Sequence, residues 1–167
     1  HCISAADGRM IWQKDFIKDL GGNIMSRLNW GFSESPLVDG NLVICTPGGS
    51  QGTMAALNKL TGAVVWRSKQ RTDLGGYSSS VVAVVDGVRQ YIQITQTGVF
   101  GVAASDGTVL WRAGVAGNSS AVIPTPVVYN NYVYVTSGYN AGCALLRITR
   151  QGAGFRAETV YTNRNMS

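Results

Sequence analysis

The sequence predicts an all-β chain of consecutive four-stranded antiparallel meanders, and three observations carry that prediction. The first is composition. Of 167 residues 21 are glycine, 14% are charged and 45% are hydrophobic, where about 7% glycine and about 25% charge are usual. A chain so apolar, with Glu34 and Glu158 as its two glutamates, is neither disordered nor a long charged helix. The second is a frame in which Gly stands four residues before Trp: Gly8 and Trp12, Gly62 and Trp66, Gly107 and Trp111. The third is that Asp-Gly or Asn-rich pairs, which tolerate positive φ, separate short apolar runs in the manner of hairpin turns.

Each repeat opens with a first strand led in by a small polar residue: Ser35-Pro36-Leu37-Val38, Ser79-Ser80-Val81-Val82 and Thr125-Pro126-Val127-Val128. The turns Asp39-Gly40, Asp86-Gly87 and Asn130-Asn131 follow. A second strand then ends on an aligned threonine: Leu42–Thr46, Tyr91–Thr95 and Tyr132–Thr136. The third strands are Met54–Leu57, Val99–Ala103 and Cys143–Leu146, and the fourth carries the Trp beyond the tight Gly turn. A fourth copy of the Gly–aromatic frame reads Gln151-Gly152-Ala153-Gly154-Phe155, with Phe155 in the aromatic place. Trp66 to Trp111 is 45 residues and Trp111 to Phe155 is 44, while Trp12 to Trp66 is 54 and contains an inserted loop.

Four strands in a period of roughly 40–45 residues is the signature of a β-propeller blade. One meander cannot bury its own face, so blades stack radially and share apolar faces. The sequence divides into the end of a blade (1–16) and three blades (33–70, 77–115 and 121–161) within one partial propeller domain spanning 1–167. These are about 3.5 blades, too few to close a ring and about half of the seven or eight that the family resemblance described below implies, so the chain reads as a fragment whose partners are the remaining blades. Gly8, Gly62 and Gly107 supply turn conformations that a Cβ opposes. Trp12, Trp66, Trp111 and Phe155 are expected to fill the wedge between blades.

Charge and cysteine usage exclude several function classes. The net charge is +5, but the ten Arg and four Lys are scattered from Arg9 to Arg164, without the clustering that nucleic-acid binding requires. The longest apolar run, Val81–Val85, is far too short for a membrane span. Cys2, Cys45 and Cys143 lack metal-ligand spacing and read as small buried residues, with a Cys45–Cys143 disulfide left open. Gly48-Gly49-Ser50-Gln51-Gly52 lacks the Gly-Lys-Ser/Thr of a phosphate loop and reads as a turn between second and third strands. Ser78-Ser79-Ser80 has no base for a triad, since the sole histidine is His1. The Gly-His and Trp-Asp pairs of intracellular WD adaptors are also missing.

The segment Ala56-Leu57-Asn58-Lys59-Leu60-Thr61-Gly62-Ala63-Val64-Val65-Trp66 resembles the tryptophan docking repeat of quinoprotein-type, WD40-like β-propellers. That family pattern is Ala-x-Asp-x-x-Thr-Gly-x-x-x-Trp, with Asn58 here in place of Asp. The family of pyrroloquinoline-quinone-like (PQQ-like) repeats includes quinone-dependent dehydrogenases. It also includes the non-enzymatic outer-membrane β-barrel assembly lipoprotein and exported bacterial proteins similar to polyvinyl-alcohol dehydrogenase. Ser33–Gly40 and Thr46-Pro47-Gly48-Gly49 are most similar to the exported group. The resemblance implies a periplasmic or otherwise exported bacterial protein whose propeller is a scaffold or binding surface for protein partners. The alternative it implies is part of a PQQ-dependent alcohol dehydrogenase, with Ca²⁺ and the catalytic base supplied by blades outside this segment.

That alternative needs a carboxylate base, a cation held by six to eight oxygens and a basic residue beside the quinone. Most acids here fall in turns. Glu34 is placed differently, at the start of an inner strand and just after the inserted loop Arg27-Leu28-Asn29-Trp30-Gly31-Phe32. Loops on a rigid scaffold are where sites gather, so Arg27, Trp30 and Glu34 are the candidates for the mouth of the central channel. No metal site and no bound PQQ or Ca²⁺ are expected for this segment alone, and its exposed blade faces favour self-association.

Overall fold

A computed structural model describes residues 1–25 and 30–165. Two strands, β1 (Cys2–Ile3) and β2 (Met10–Trp12), form the half-blade. Blade two is β3 (Leu37–Asp39), β4 (Leu42–Cys45), β5 (Ala55–Asn58) and β6 (Val64–Arg67). Blade three is β7 (Val81–Val85), β8 (Val88–Thr95), β9 (Gly98–Ala103) and β10 (Val109–Ala113). Blade four is β11 (Val127–Tyr129), β12 (Tyr132–Ser137), β13 (Gly142–Gln151) and β14 (Gly154–Asn163). Every pairing is antiparallel between strands consecutive in the chain. This is the all-β partial propeller that the repeat predicts.

The turn chemistry explains why the strands end where they do. Gly8, Gly62 and Gly107 hold φ of 72°, 70° and 76°, and the hairpin residues Asp86 and Asn130 hold 48° and 52°. Side chains disfavour that left-handed region, which Gly, Asn and Asp occupy most readily. The three apolar clusters sit at the seams between sheets. Leu20, Cys45, Ala55 and Leu57, with Trp12 and Phe16 against them, fill the half-blade seam. Ile44, Ala56 and Trp66 meet Tyr91, Phe100 and Val102 between blades two and three. Val85, Ile92, Ile94 and Trp111 meet Val133, Val135, Leu146 and Ile148 between blades three and four. Cys45 and Cys143 are buried in blades two and four without a bridge between them.

A shared bulge fixes the register. Cys2 pairs with Trp12, Ala56 with Trp66, and Gly101 with Trp111, and the register shifts just beside each pair. In blade four the same shift falls beside the pair Leu145–Tyr161. The residue in register with the tryptophans is therefore Tyr161. Phe155, expected there from the sequence spacing, instead pairs with Arg150 near the hairpin tip and packs partly buried on the cluster between blades three and four. The bulge-flanking partners are ten residues apart in the first three sheets and 16 apart in the fourth. The last hairpin is thus six residues longer. Its Gly152 turn, with φ of 59°, lies beyond the place held by Gly62 and Gly107.

The loop between β2 and β3 is stitched onto the scaffold. Asn23 N–H donates to Pro47 O (3.0 Å), Gly75 N–H to Asn23 O (2.7 Å) and Met25 N–H to Gly75 O (2.8 Å), while Leu20 is fully buried. The Gly48 turn is what admits this backbone. A Cβ there would lie 2.0 Å from Gly75 N and 2.6 Å from Asn23 O, far inside van der Waals contact.

Candidate functional site

Glu34 sits just ahead of β3, and its carboxylate turns in toward the end of β4. Glu34 Oε1 accepts the Thr46 amide at 2.5 Å. The Gln93 side-chain amide donates to Thr46 Oγ1 (2.6 Å) and to Ser78 O (3.1 Å), and Ser78 Oγ–H donates to Pro124 O (3.0 Å). Ser35 N–H donates in turn to Ser79 Oγ (2.8 Å). A polar chain therefore runs from Glu34 through the starts of blades three and four. Thr46 and Gln93, interior residues of their blades, are almost fully buried, and buried polar groups need such partners.

Burial dominates the electrostatics of Glu34. It pushes the carboxyl up to about 7, against the opposing pull of the hydrogen bonds from Thr46. Burial, and then the charge of Glu34, also raise the Cys45 thiol, while burial lowers the nearby Arg67 guanidinium. Glu34 opens onto a cleft of about 530 Å³ lined by His1, Lys14, Asp15, Phe16, Asp19 and Phe32 among others. The acids of that cleft are already engaged. Asp15 Oδ1 accepts the Ile17 and Lys18 amides at 2.8 and 2.9 Å, and Asp19 Oδ2 accepts the Asp15 amide at 2.8 Å.

Glu34 and Trp30, two of the three mouth candidates, do not line one cleft. Trp30 is absent from the lining of the Glu34 cleft; its exposed ring lies 6.1 Å from that of Tyr77. Arg27 lies outside the described residues. The residues that sequence reasoning missed are Thr46, Gln93 and Ser78, which wire Glu34 into the blades. The aligned threonine at the end of each second strand was their one legible signal.

The tryptophans form the second set of positions. Trp12 Nε1–H donates to Lys59 O (2.9 Å) and its ring lies over Gly62, where a Cβ would come within 2.7 Å of it. Trp66 repeats this on the next blade, donating to Ala104 O (3.1 Å) over Gly107. Trp111 does otherwise. Its Nε1–H donates to Gln90 Oε1 (2.7 Å) within its own blade, and its ring lies over Gly101 of the adjoining strand. The longer last hairpin removes the glycine turn onto which this indole would otherwise dock.

Charged latches add to the seams. Asp39, at the β3–β4 turn, accepts from Arg89 Nε (2.8 Å) and Nη2 (2.6 Å) and from Tyr91 Oη (2.6 Å), which together hold its carboxyl below the usual range. Asp86, at the β7–β8 turn, accepts the Arg150 amide at 3.2 Å. In the connection from blade two to blade three, Asp73 accepts from Arg71 and from Thr97 (2.8 Å), and the Arg71 guanidinium lies 4.9 Å from the centre of the Phe100 ring. Among the described residues no helix is long and apolar enough to cross a membrane. A family model described as outer membrane protein assembly factor BamB matches residues 1–162. No curated protein matches the chain with significance.

Proposed function

We propose a role as a rigid scaffold for docking protein partners, proceeding from the premise that the chain belongs to the family of outer membrane protein assembly factor BamB. The observation that carries the reading is the cross-blade bonding at fixed repeat positions. Trp12, Trp66, Asp39 and Asp86 each reach from one sheet to the next. Loops held on such a frame are pre-organised, which lowers the entropy lost on binding. The family match supports a place in the bacterial envelope, outside the cytoplasm, and a contribution to assembly of outer membrane proteins. Deleting its gene in the source bacterium should lower the level of outer membrane β-barrel proteins, with restoration on complementation. Unchanged levels after verified loss would remove the assembly role. Exposed residues on the sheet faces, among them Val38, Val127 and Tyr129, favour contact with further blades or second copies.

A second reading, part of a PQQ-dependent alcohol dehydrogenase, is favoured by Glu34 alone, because a carboxyl near 7 suits a general base. The donor set does not fit the cation such an enzyme needs. Ca²⁺ takes about six to eight oxygens, whereas among the described residues no group of three or more His, Cys, Asp or Glu side chains is placed to hold a metal ion. We therefore read this chain as binding no quinone by itself. Titration with pyrroloquinoline quinone and Ca²⁺, followed by cofactor absorbance, should show no saturable change. A saturable, Ca²⁺-dependent change would promote the dehydrogenase.

A further inference from the structure

The lengthened hairpin leaves blade four with an edge unlike those of the other blades. Strand β14 is outermost in its sheet and spans ten residues, where the outermost strands β6 and β10 span four and five. Stacking another blade would cover the face of this sheet and leave its edge open, since backbone groups at an edge point within the sheet plane. Long open edges invite another strand, and proteins usually blunt them by shortness, proline or charge. Here the strand is long and has no proline, and Thr159–Asn163 are five consecutive exposed residues. Thr159-Val160-Tyr161-Thr162 is also rich in the residue types that favour strands.

Charge selects the kind of partner. The hairpin and the residue after it expose Arg147, Arg150, Arg156 and Arg164 against one exposed acid, Glu158, which pairs with Arg156 at 3.4 Å. Among the described residues no other carboxylate forms an ion pair with these guanidinium groups, although Asp86 accepts the Arg150 backbone amide. We propose that β14 accepts an added strand: an extended, acidic segment of a partner protein whose backbone pairs with the open edge and whose carboxylates meet the surplus guanidinium groups. Main-chain pairing then supplies affinity, and the alternating side chains supply selectivity. The inference rests on the docking reading above and names the partner's chemistry.

The test uses the whole chain and two synthetic probes of about ten residues, a typical strand length. One alternates Thr and Val with Glu, and the other carries Lys at the same positions. The Glu probe is expected to bind saturably by fluorescence anisotropy, roughly tenfold or more tighter than the Lys probe. It should slow amide hydrogen exchange selectively across Gly154–Asn163. The double variant Arg156→Glu, Arg164→Glu changes two exposed side chains, and should weaken the Glu probe by about tenfold while its thermal melt stays unchanged. No saturable binding, or protection elsewhere than β14, overturns the proposal. So does protection of β14 that rises with protein concentration without any probe, which assigns the edge to a second copy. If the probe fails while gene loss still lowers outer membrane proteins, strand addition falls and the scaffold reading stands.

Discussion

The seam between blades two and three and the seam between blades three and four are built from the same repeat, yet they are closed differently. At the first, Trp66 crosses to the glycine turn of the next blade, and Asp39 crosses to Arg89 and Tyr91. At the second, Trp111 bonds within its own blade, and the six additional residues of the last hairpin lie across the gap. Phe155 and Ala157 from that hairpin pack on the cluster that contains Trp111, and Ile148 is fully buried in it. An indole reaching outward and a hairpin reaching inward fill the same kind of wedge. The repeat therefore specifies a volume to be filled between blades, and either neighbour can fill it.

Removing Trp66 should break the first seam and give the largest effect. The side chain is 8% exposed and makes a hydrogen bond across blades, so Trp66→Ala is expected to cost about 3–5 kcal/mol, as for other buried large aromatics. Hydrogen exchange should quicken in β6 and in the turn at Gly107. Trp111→Ala should instead loosen β8 to β10 and the last hairpin. If thermal melts of Trp66→Ala move by less than roughly 1 kcal/mol, well below that range, the first seam does not depend on its indole.

The fold was legible because a period of 45 residues, hairpin turns and Gly-Trp spacing are local signals. The site was legible only in outline. Glu34 stood out by its place before an inner strand, but its raised pKa comes from its enclosure in the folded chain, where it lies against Thr46 and Cys45 at the end of β4. The hairpin length was hidden by a coincidence. Gly152 falls 45 residues after Gly107, so the spacing imitates a normal repeat although the bulge moves the aromatic register to Tyr161. The room for Trp111 to lie on its own sheet is a single missing methyl, since the residue opposite Trp66 is Ala56 and the residue opposite Trp111 is Gly101.

The polar chain from Glu34 spans the first seam at its inner end, and its charge state can be tested by pH. Burial raises the folded carboxyl from 4.5 to about 7. The folded state therefore holds the proton more tightly than the unfolded chain does. The stabilising contribution of the protonated form is complete below about pH 4.5 and is lost as pH rises to about 7. Cys45 is the titratable neighbour that feels this group, Arg67 lies beside Cys45, and Lys14, Asp15, Asp19 and His1 line the same cleft. Glu34→Gln keeps an acceptor for the Thr46 amide and removes the charge. Relative to the parent it should gain roughly 2–3 kcal/mol between pH 4.5 and pH 8, at about 1.4 kcal/mol per pKa unit with a discount for partial exposure. Denaturant melts at the two pH values measure the difference, and a difference that does not change with pH would show that Glu34 is not desolvated.

The smallest of these effects bears most directly on why the two seams differ. A Cβ on Gly101 would lie 2.3 Å from Trp111 Nε1 and 2.5 Å from its Cε2. Its counterpart Ala56 carries that methyl without conflict because Trp66 leans away onto Gly107. Gly101→Ala should therefore push the Trp111 indole off its own sheet and cost about 1–2 kcal/mol, the lower part of the overpacking range. The displaced indole cannot simply copy Trp66, because β13 and β14 continue as paired strands where a glycine turn would receive it. It should lose its hydrogen bond to Gln90 and move toward solvent. In a background where Trp30 is replaced by Phe, red-shifted fluorescence and faster quenching would report that movement. Unchanged emission together with a melt within about 0.5 kcal/mol of the parent would mean that Gly101 does not hold the indole inward, and would leave the long hairpin as the cause of the difference between the seams.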